Sequence, residues 1–210
     1  MKPKTLESPK DQRIEAQYAS SNDIQGILSV QEENLLSKIA PDLLSDQGSQ
    51  IDEDVEKIGS RGFLIHALTE EELQRLICDR ENIILLVTRE NNEVDGYVLA
   101  YDINAWKTFK PEWEKIVKVP EDIAEFLGKE KILYLRHIAR KGSAKGKGSK
   151  LMERLIKEAQ SRGYKYIICE ILEAPITNRA SIEFHQKWGF KKVGQVIENR
   201  LTWGLFLKSL

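Results

Sequence analysis

The stretch Arg140-Lys-Gly-Ser-Ala-Lys-Gly-Lys-Gly-Ser-Lys150 holds three glycines, five cationic side chains and no acid. The apolar run Ile132-Leu-Tyr-Leu-Arg-His-Ile-Ala139 leads into it, and an amphipathic segment from Ser149 to about Ser161 follows. Strand, glycine-rich basic turn, helix is an order that presents backbone N–H groups to phosphate oxygens. The first helical turn leaves its N–H groups without internal partners, and the helix dipole adds partial positive charge there. Glycines let the backbone approach an anion closely. The region is therefore expected to bind a phosphorylated ligand, although a solvated basic turn would have the same composition.

Two nucleotide motifs fail here. A P-loop needs Gly-Lys-Ser/Thr after a glycine and a four-residue spacer. Gly148 separates Lys147 from Ser149, so the register is wrong. A dinucleotide fingerprint needs Gly-x-Gly-x-x-Gly, and Gly146-Lys-Gly148 runs on to Leu151 with no third glycine.

Outward from this stretch the chain reads as mixed α/β. Upstream, Arg13 to Tyr18 is a plausible first strand, and Ser20-Ser-Asn-Asp23 offers N-caps for a helix to about Lys38. A loop-rich connection with a short acidic helical piece covers 39–62. Thr69-Glu-Glu-Glu72 is a capping box opening a helix to about Cys78. Ile83-Ile-Leu-Leu-Val-Thr88 and Val94-Asp-Gly-Tyr-Val-Leu-Ala-Tyr101 form a hairpin around Asn91-Asn92. A polar insertion at 102–130, with Trp106, Phe109 and Trp113, reads as one or two short helices.

Downstream, Leu151, Met152, Leu155, Ile156 and Ala159 give one apolar helix face, ended by Gly163. Tyr166-Ile-Ile-Cys-Glu-Ile-Leu172 is a buried strand, 178 to about 188 a helix stopped by Gly189, and 191–196 and 203–207 are closing strands. Hairpins come early and β-α-β units late.

A chain of 210 residues suits a polar N-terminal tail at 1–12, expected to be disordered, and one domain over 13–210. The net charge of −1 gives no polyanion-binding signature, which argues against a nucleic-acid partner. Acidic residues gather at 42–56; they would attract a cationic amine or simply form a solvated face. Cys78 and Cys169 both sit in apolar contexts and read as buried free thiols of a reducing compartment. No apolar run reaches membrane-span length and the N-terminus lacks a signal-peptide core, so a cytoplasmic protein with no membrane partner is expected.

Three segments resemble the GNAT superfamily of N-acetyltransferases. Leu135-Arg-His-Ile-Ala139 with Lys145-Gly-Lys-Gly148 resembles the family's fourth strand and pyrophosphate loop. Asn178-Arg-Ala-Ser-Ile-Glu-Phe-His-Gln-Lys-Trp-Gly-Phe190 resembles its Asn…Ala…Phe-Tyr-x-x-x-Gly-Phe helix, and Lys191-Lys-Val-Gly194 continues in the family's manner. Counted back from the helix, the loop's Gln/Arg position falls on Ser143. Counted forward from the strand it falls on Lys145, and the loop is then two residues short.

The resemblance implies a mostly antiparallel α/β (α+β) sheet, flanked by helices, in which one parallel strand pair splays apart. It implies acetyl-CoA as cosubstrate, an amine acceptor and no metal; a homodimer is compatible with it. The backbone of Lys145, Gly146, Lys147, Gly148 and Ser149 would hold the pyrophosphate, with Lys145, Lys147 and Lys150 reaching phosphates. Ile138, Ala139 and Arg140, and later Ser181 and Phe184, would border the cofactor. Asn178 would contact its arm or cap its own helix.

Acetyl transfer to an amine needs a base for the ammonium proton and stabilisation of the departing thiolate. The family tyrosine near the sulfur is replaced by His185, which would act as an acid or simply pack. His137 lies on the strand beside the acetyl site, but strand alternation does not decide whether it, Arg136 or Ile138 faces the slot. Glu170, on the next strand, is a base with a raised pKa or a partner for Arg136. The expected activity is N-acetyl transfer to a small primary amine by direct attack in a ternary complex; the competing expectation is a non-catalytic acyl-CoA-binding regulatory module of the same fold.

Overall fold

The computed structural model describes residues 15–40, 53–198 and 200–210. The expected tail at 1–12 and most of the acidic run at 42–56 lie outside the described residues. A 3-10 turn at Ser21–Asp23 leads into α1 (Ile24–Asn34). Asp23 closes this entry by bonding the backbone N–H and hydroxyl of Ser20, each at 2.8 Å, and by receiving Arg89 in a two-pronged pair at 2.9 and 2.6 Å.

The single helix expected to Lys38 breaks at Leu35, which takes an extended conformation before α2 (Leu36–Ile39). The break has a cause: Leu36 N–H bonds Leu64 C=O at 2.8 Å, and Leu64 N–H bonds Asn34 C=O at 2.7 Å. A passing segment has replaced the helical partners.

The helices α3 (Glu53–Arg61) and α4 (Glu70–Cys78) follow. The predicted capping box opens α4, with Thr69 Oγ1 accepting from Glu72 N–H at 3.2 Å and Glu72 accepting from Thr69 N–H at 2.7 Å; such a cap contributes about 1 kcal/mol. Cys78, at the end of α4, is exposed rather than buried, because the apolar face of this short helix is Leu73 and Leu76.

Among the described residues, eight strands form one sheet: β1 (Gln17–Tyr18), β2 (Ile83–Glu90), β3 (Glu93–Asp102), β4 (Val117–Lys118), β5 (Ile132–Arg140), β6 (Tyr166–Ala174), β7 (Lys191–Glu198) and β8 (Leu201–Ser209), in the order β1-β2-β3-β5-β6-β8-β7-β4. Asn91 and Asn92 make the predicted β2–β3 turn with φ of 51° and 68°, the left-handed pair that a two-residue hairpin turn requires. All neighbours are antiparallel except β5 and β6. The predicted mixed sheet with one parallel pair is therefore the observed one.

The insertion is more structured than expected. It holds α5 (Ile103–Phe109), α6 (Trp113–Ile116) and α7 (Glu121–Lys129), and its β4 pairs with β7 through Val117–Val196 and Lys118–Gln195. Sequence pattern missed β4 because two residues are too few for a period.

Two further helices, α8 (Lys147–Ser161) and α9 (Arg179–Lys187), complete the fold. The sheet is covered on both faces. Ile83, Leu85 and Val87 pack with α1 and α4, while Ile84 and Leu86 pack with Leu151, Met152 and Leu155 of α8. This double burial explains why β2 reads as an unbroken apolar run.

Candidate functional site

The slot between β5 and β6 follows from their register. They pair at Ile132–Tyr166, Leu133–Ile167, Tyr134–Ile168 and Leu135–Cys169, and no pairing continues beyond. Past this last rung the facing edges of both strands present backbone groups without a strand partner. A cavity of about 540 Å³ opens there, reaching from the Gly142–Gly148 loop to Trp106 and Trp203.

A β-bulge sets which side chains enter it. Leu99 of β3 faces His137 and Ala100 faces Leu135, so Arg136 has no partner in the ladder. Ahead of the bulge, Ile132 and Tyr134 share the α1 face; after it, Ala139 does. His137 is turned inward, 4% exposed, with Nδ1 3.1 Å from the Tyr97 hydroxyl. Burial, then the Arg136 charge, holds its pKa well below the ordinary value. Its burial and its bond to Tyr97 keep the imidazole neutral and packed against β3 at the cavity wall, which favours a structural part for His137 over that of the base.

Glu170 stands on β6 one residue past the last rung. Its carboxylate accepts from the Trp113 indole N–H and from the Tyr134 hydroxyl. Burial raises its pKa, opposed by these two donors and by Lys110. Trp113 thus holds Glu170 from behind. Tyr134 in turn stacks on Trp106, with centroids 4.2 Å apart and planes 7° apart.

His185 also lines the cavity, on α9. Its Nδ1 lies 2.7 Å from Ser181 C=O, so Nδ1 carries the proton. Nε2 is then a bare acceptor, buried without a partner. Burial pushes its pKa down to about 4, against the Ser181 bond that pulls upward. At neutral pH His185 has no Nε2 proton to give, so of its two expected roles, acid or packing, the fold favours packing, with Nε2 left as a bare acceptor.

At the other end, Gly146 caps α8 with φ of +79°; a residue with a Cβ would be strained by about 1–2 kcal/mol in this conformation. Ala144 N–H, Lys147 N–H and Lys150 N–H bond within the loop, while those of Gly148 and Ser149 have no bond among these. A Cβ at Gly142 would meet nothing within 4 Å, and one at Gly148 only Phe184, at 3.6 Å or more. Neither internal packing nor a left-handed φ demands glycine at these two positions. Both border the cavity, so the space they leave fits a ligand that approaches the backbone, as a coenzyme A pyrophosphate would.

Four of the five loop cations divide by role. The Lys147 side chain is 3% exposed and lies 2.7 Å from Asp95, at an angle outside hydrogen-bond geometry. Its ammonium is therefore unavailable to a phosphate, which corrects its expected side-chain contact. Arg140 donates to Lys141 C=O and Gly142 C=O, each at 3.0 Å, and so shapes the loop. Lys145 and Lys150 are exposed.

Asn178 is likewise committed. Its Oδ1 accepts from Ser181 N–H at 3.2 Å and its Nδ2 donates to Phe63 C=O at 2.9 Å. It caps α9 and ties down the Phe63 segment, which of its two expected roles supports the cap.

The cavity therefore brings together His137, Ile138, Ala139, Arg140, Gly148, Asn178, Ser181 and Phe184 with Glu170 and His185; Lys145, Gly146, Lys147, Ser149 and Lys150 lie outside its wall. Sequence reasoning missed Trp203, which stacks on His66 at 5.9 Å, and Lys110, paired with Glu198 at 2.7 Å. Neither carries a local signal; sheet order alone places them.

A sheet forked in this way, with a glycine cradle at one end and a buried carboxylate in the fork, defines an acyltransferase architecture. The acetyltransferase (GNAT) family model matches residues 53–190, and the chain belongs to that family. Among solved structures the fold is similar to a putative acetyltransferase from Salmonella typhimurium solved with its cofactor acetyl-CoA, at 19% identity, TM-score 0.58, and 94% of each chain covered. It is also similar to the PaiA N-acetyltransferase of Thermoplasma acidophilum in complex with coenzyme A, at 15% identity and TM-score 0.57 over 94% of this chain and 99% of that one. An N-acetyltransferase from Staphylococcus aureus is 20% identical with TM-score 0.52, over 92% and 96%. Comparison with curated proteins returned no match. No helix among the described residues is long and apolar enough to cross a membrane.

Proposed function

We propose that this protein is an acetyl-CoA-dependent N-acetyltransferase acting on a small primary amine by direct attack in a ternary complex. The observation that supports it most is Glu170: a carboxylate with a raised pKa, held by two donors, one residue past the point where β5 and β6 part. The N–H groups of Gly148 and Ser149, with the exposed ammoniums of Lys145 and Lys150, would hold the cofactor's phosphates. The unpaired edges of β5 and β6 would pair with its arm, and Phe184 would pack beside it.

Bound acetyl-CoA supplies a thioester whose C–S bond breaks as the amine nitrogen forms the C–N bond. Glu170 takes the first proton, from the ammonium, directly or through one water, and later returns it to solvent. The second nitrogen proton goes to the departing thiolate, so no charged His185 is required. The aromatic walls of Trp106 and Trp203 exclude water around the nitrogen and favour a small acceptor.

Thermal unfolding with acetyl-CoA, coenzyme A and ATP, followed by a thiol-release screen of amines, tests this reading. A raised midpoint with acetyl-CoA but not ATP is expected, since a ligand that binds the native state stabilises it. A shift with no turnover of any amine would favour a non-catalytic acyl-CoA-binding module, and no shift would remove both.

A further inference from the structure

Arg136 is the residue that the bulge pushes out of the ladder, and its side chain enters the acceptor half of the cavity. The guanidinium lies 5.4 Å from the Trp106 ring centroid and 5.9 Å from that of Tyr101. A guanidinium has five N–H donors. These make one long hydrogen bond, Nη1 to the Tyr101 hydroxyl at 3.4 Å, while Nε is buried without a partner. Among the described residues no carboxylate lies within 4 Å of it. The other acceptor-end cation is treated differently: Lys110 is neutralised by Glu198.

A half-buried cation with neither counter-ion nor full hydrogen bonding is costly. A planar carboxylate matches its two-pronged geometry, and aromatic stacking holds the fork in place for it. Arg136 and Glu170 are each the first residue beyond the last paired rung, one per strand. An ammonium at Glu170 and a carboxylate at Arg136 would belong to one small molecule bridging the fork.

We infer that the acceptor is an amine that also carries a carboxylate, of the amino-acid class. Arg136 binds the carboxylate, Glu170 faces the amine, and Trp106 and Trp203 flank the side chain. This inference rests on the acetyltransferase reading for its chemistry, but the Arg136 site is testable without turnover.

The test is calorimetric titration of wild type, Arg136→Met and Arg136→Lys, with and without coenzyme A. The probes are matched pairs, L-phenylalanine against phenethylamine and L-lysine against cadaverine. Losing charge-assisted hydrogen bonds should make the decarboxylated partner of at least one pair bind about 10- to 100-fold more weakly to wild type. Arg136→Met should bring that ratio close to one, and Arg136→Lys, which keeps charge without the fork, should lower it in part. Equal or tighter binding of the decarboxylated amines, no binding of either member, or a ratio that survives Arg136→Met would overturn the inference. If Arg136→Met does not fold, as judged by its unfolding transition, an unchanged ratio in Arg136→Lys overturns it instead. Failure of coenzyme A to bind wild type would sink the acetyltransferase reading alone, because the titrations without coenzyme A still judge Arg136.

Discussion

The two ends of the slot are built in different ways. At the glycine-loop end the ligand-facing groups are backbone N–H groups and gaps left by missing side chains, all within 142–149. At the acceptor end His66, Trp106, Arg136, Glu170 and Trp203 come from five separate segments. One end depends on local backbone geometry and should tolerate changes at its exposed non-glycine side chains. The other depends on single side chains that sheet order brings together, and should not.

The strongest test of that contrast is Glu170→Gln. Turnover should fall about 100- to 10,000-fold, as for loss of a general base, while acetyl-CoA still raises the unfolding midpoint. The pH profile sharpens it. Burial raises the Glu170 pKa above its ordinary 4.5, against the pull of Trp113, Lys110 and Tyr134. As pH falls through the raised value Glu170 gains a proton and cannot take one from the ammonium. The acid limb of kcat should therefore lie above pH 4.5 and vanish in Glu170→Gln; a limb at the ordinary value would assign the base elsewhere.

Lys147 breaks the contrast from within the loop, since its side chain serves the fold. Lys147→Met leaves Asp95 buried and unpaired and should cost about 3–5 kcal/mol in denaturant unfolding. Pairing it with Asp95→Leu should recover most of the loss. Unchanged stability in the single variant would mean that Asp95 finds another partner.

Smaller effects separate the glycines. Gly146→Ala should cost about 1–2 kcal/mol of stability through its left-handed φ. Gly142→Ala should leave stability within about 0.5 kcal/mol yet weaken coenzyme A binding, because the methyl group would occupy space bordering the cavity. Equal affinity in Gly142→Ala would move the cradle away from that residue. Smallest of all, Lys145→Ala and Lys150→Ala should each weaken coenzyme A binding by up to about fivefold, less at high salt.

The same contrast explains what could be read from the sequence. The segments around the cradle were legible because their signals are local: β5, α8, β6 and α9 lie close to where apolar period and glycine stops put them. The acceptor end was not. Strand alternation could not choose between Arg136 and His137, because a bulge is invisible to a period of two. Lys147 reads like its neighbours in a basic run, and only the β2–β3 hairpin, which brings Asp95 beneath it, makes it different. The kink at Leu35 needed Leu64, which arrives from a distant segment.

The bulge at Arg136 also bears on how this strand can vary through time. Substitutions along β5 act one at a time, and the bulge makes the strand's length adjustable at residue 136. Removing Arg136 would restore strict alternation, with Leu135 and His137 opposite Ala100 and Leu99 as they are now, and would leave Ile138 and Ala139 on their present faces. A relative could therefore lose this one residue as a gap and keep the slot, at the cost of the guanidinium alone.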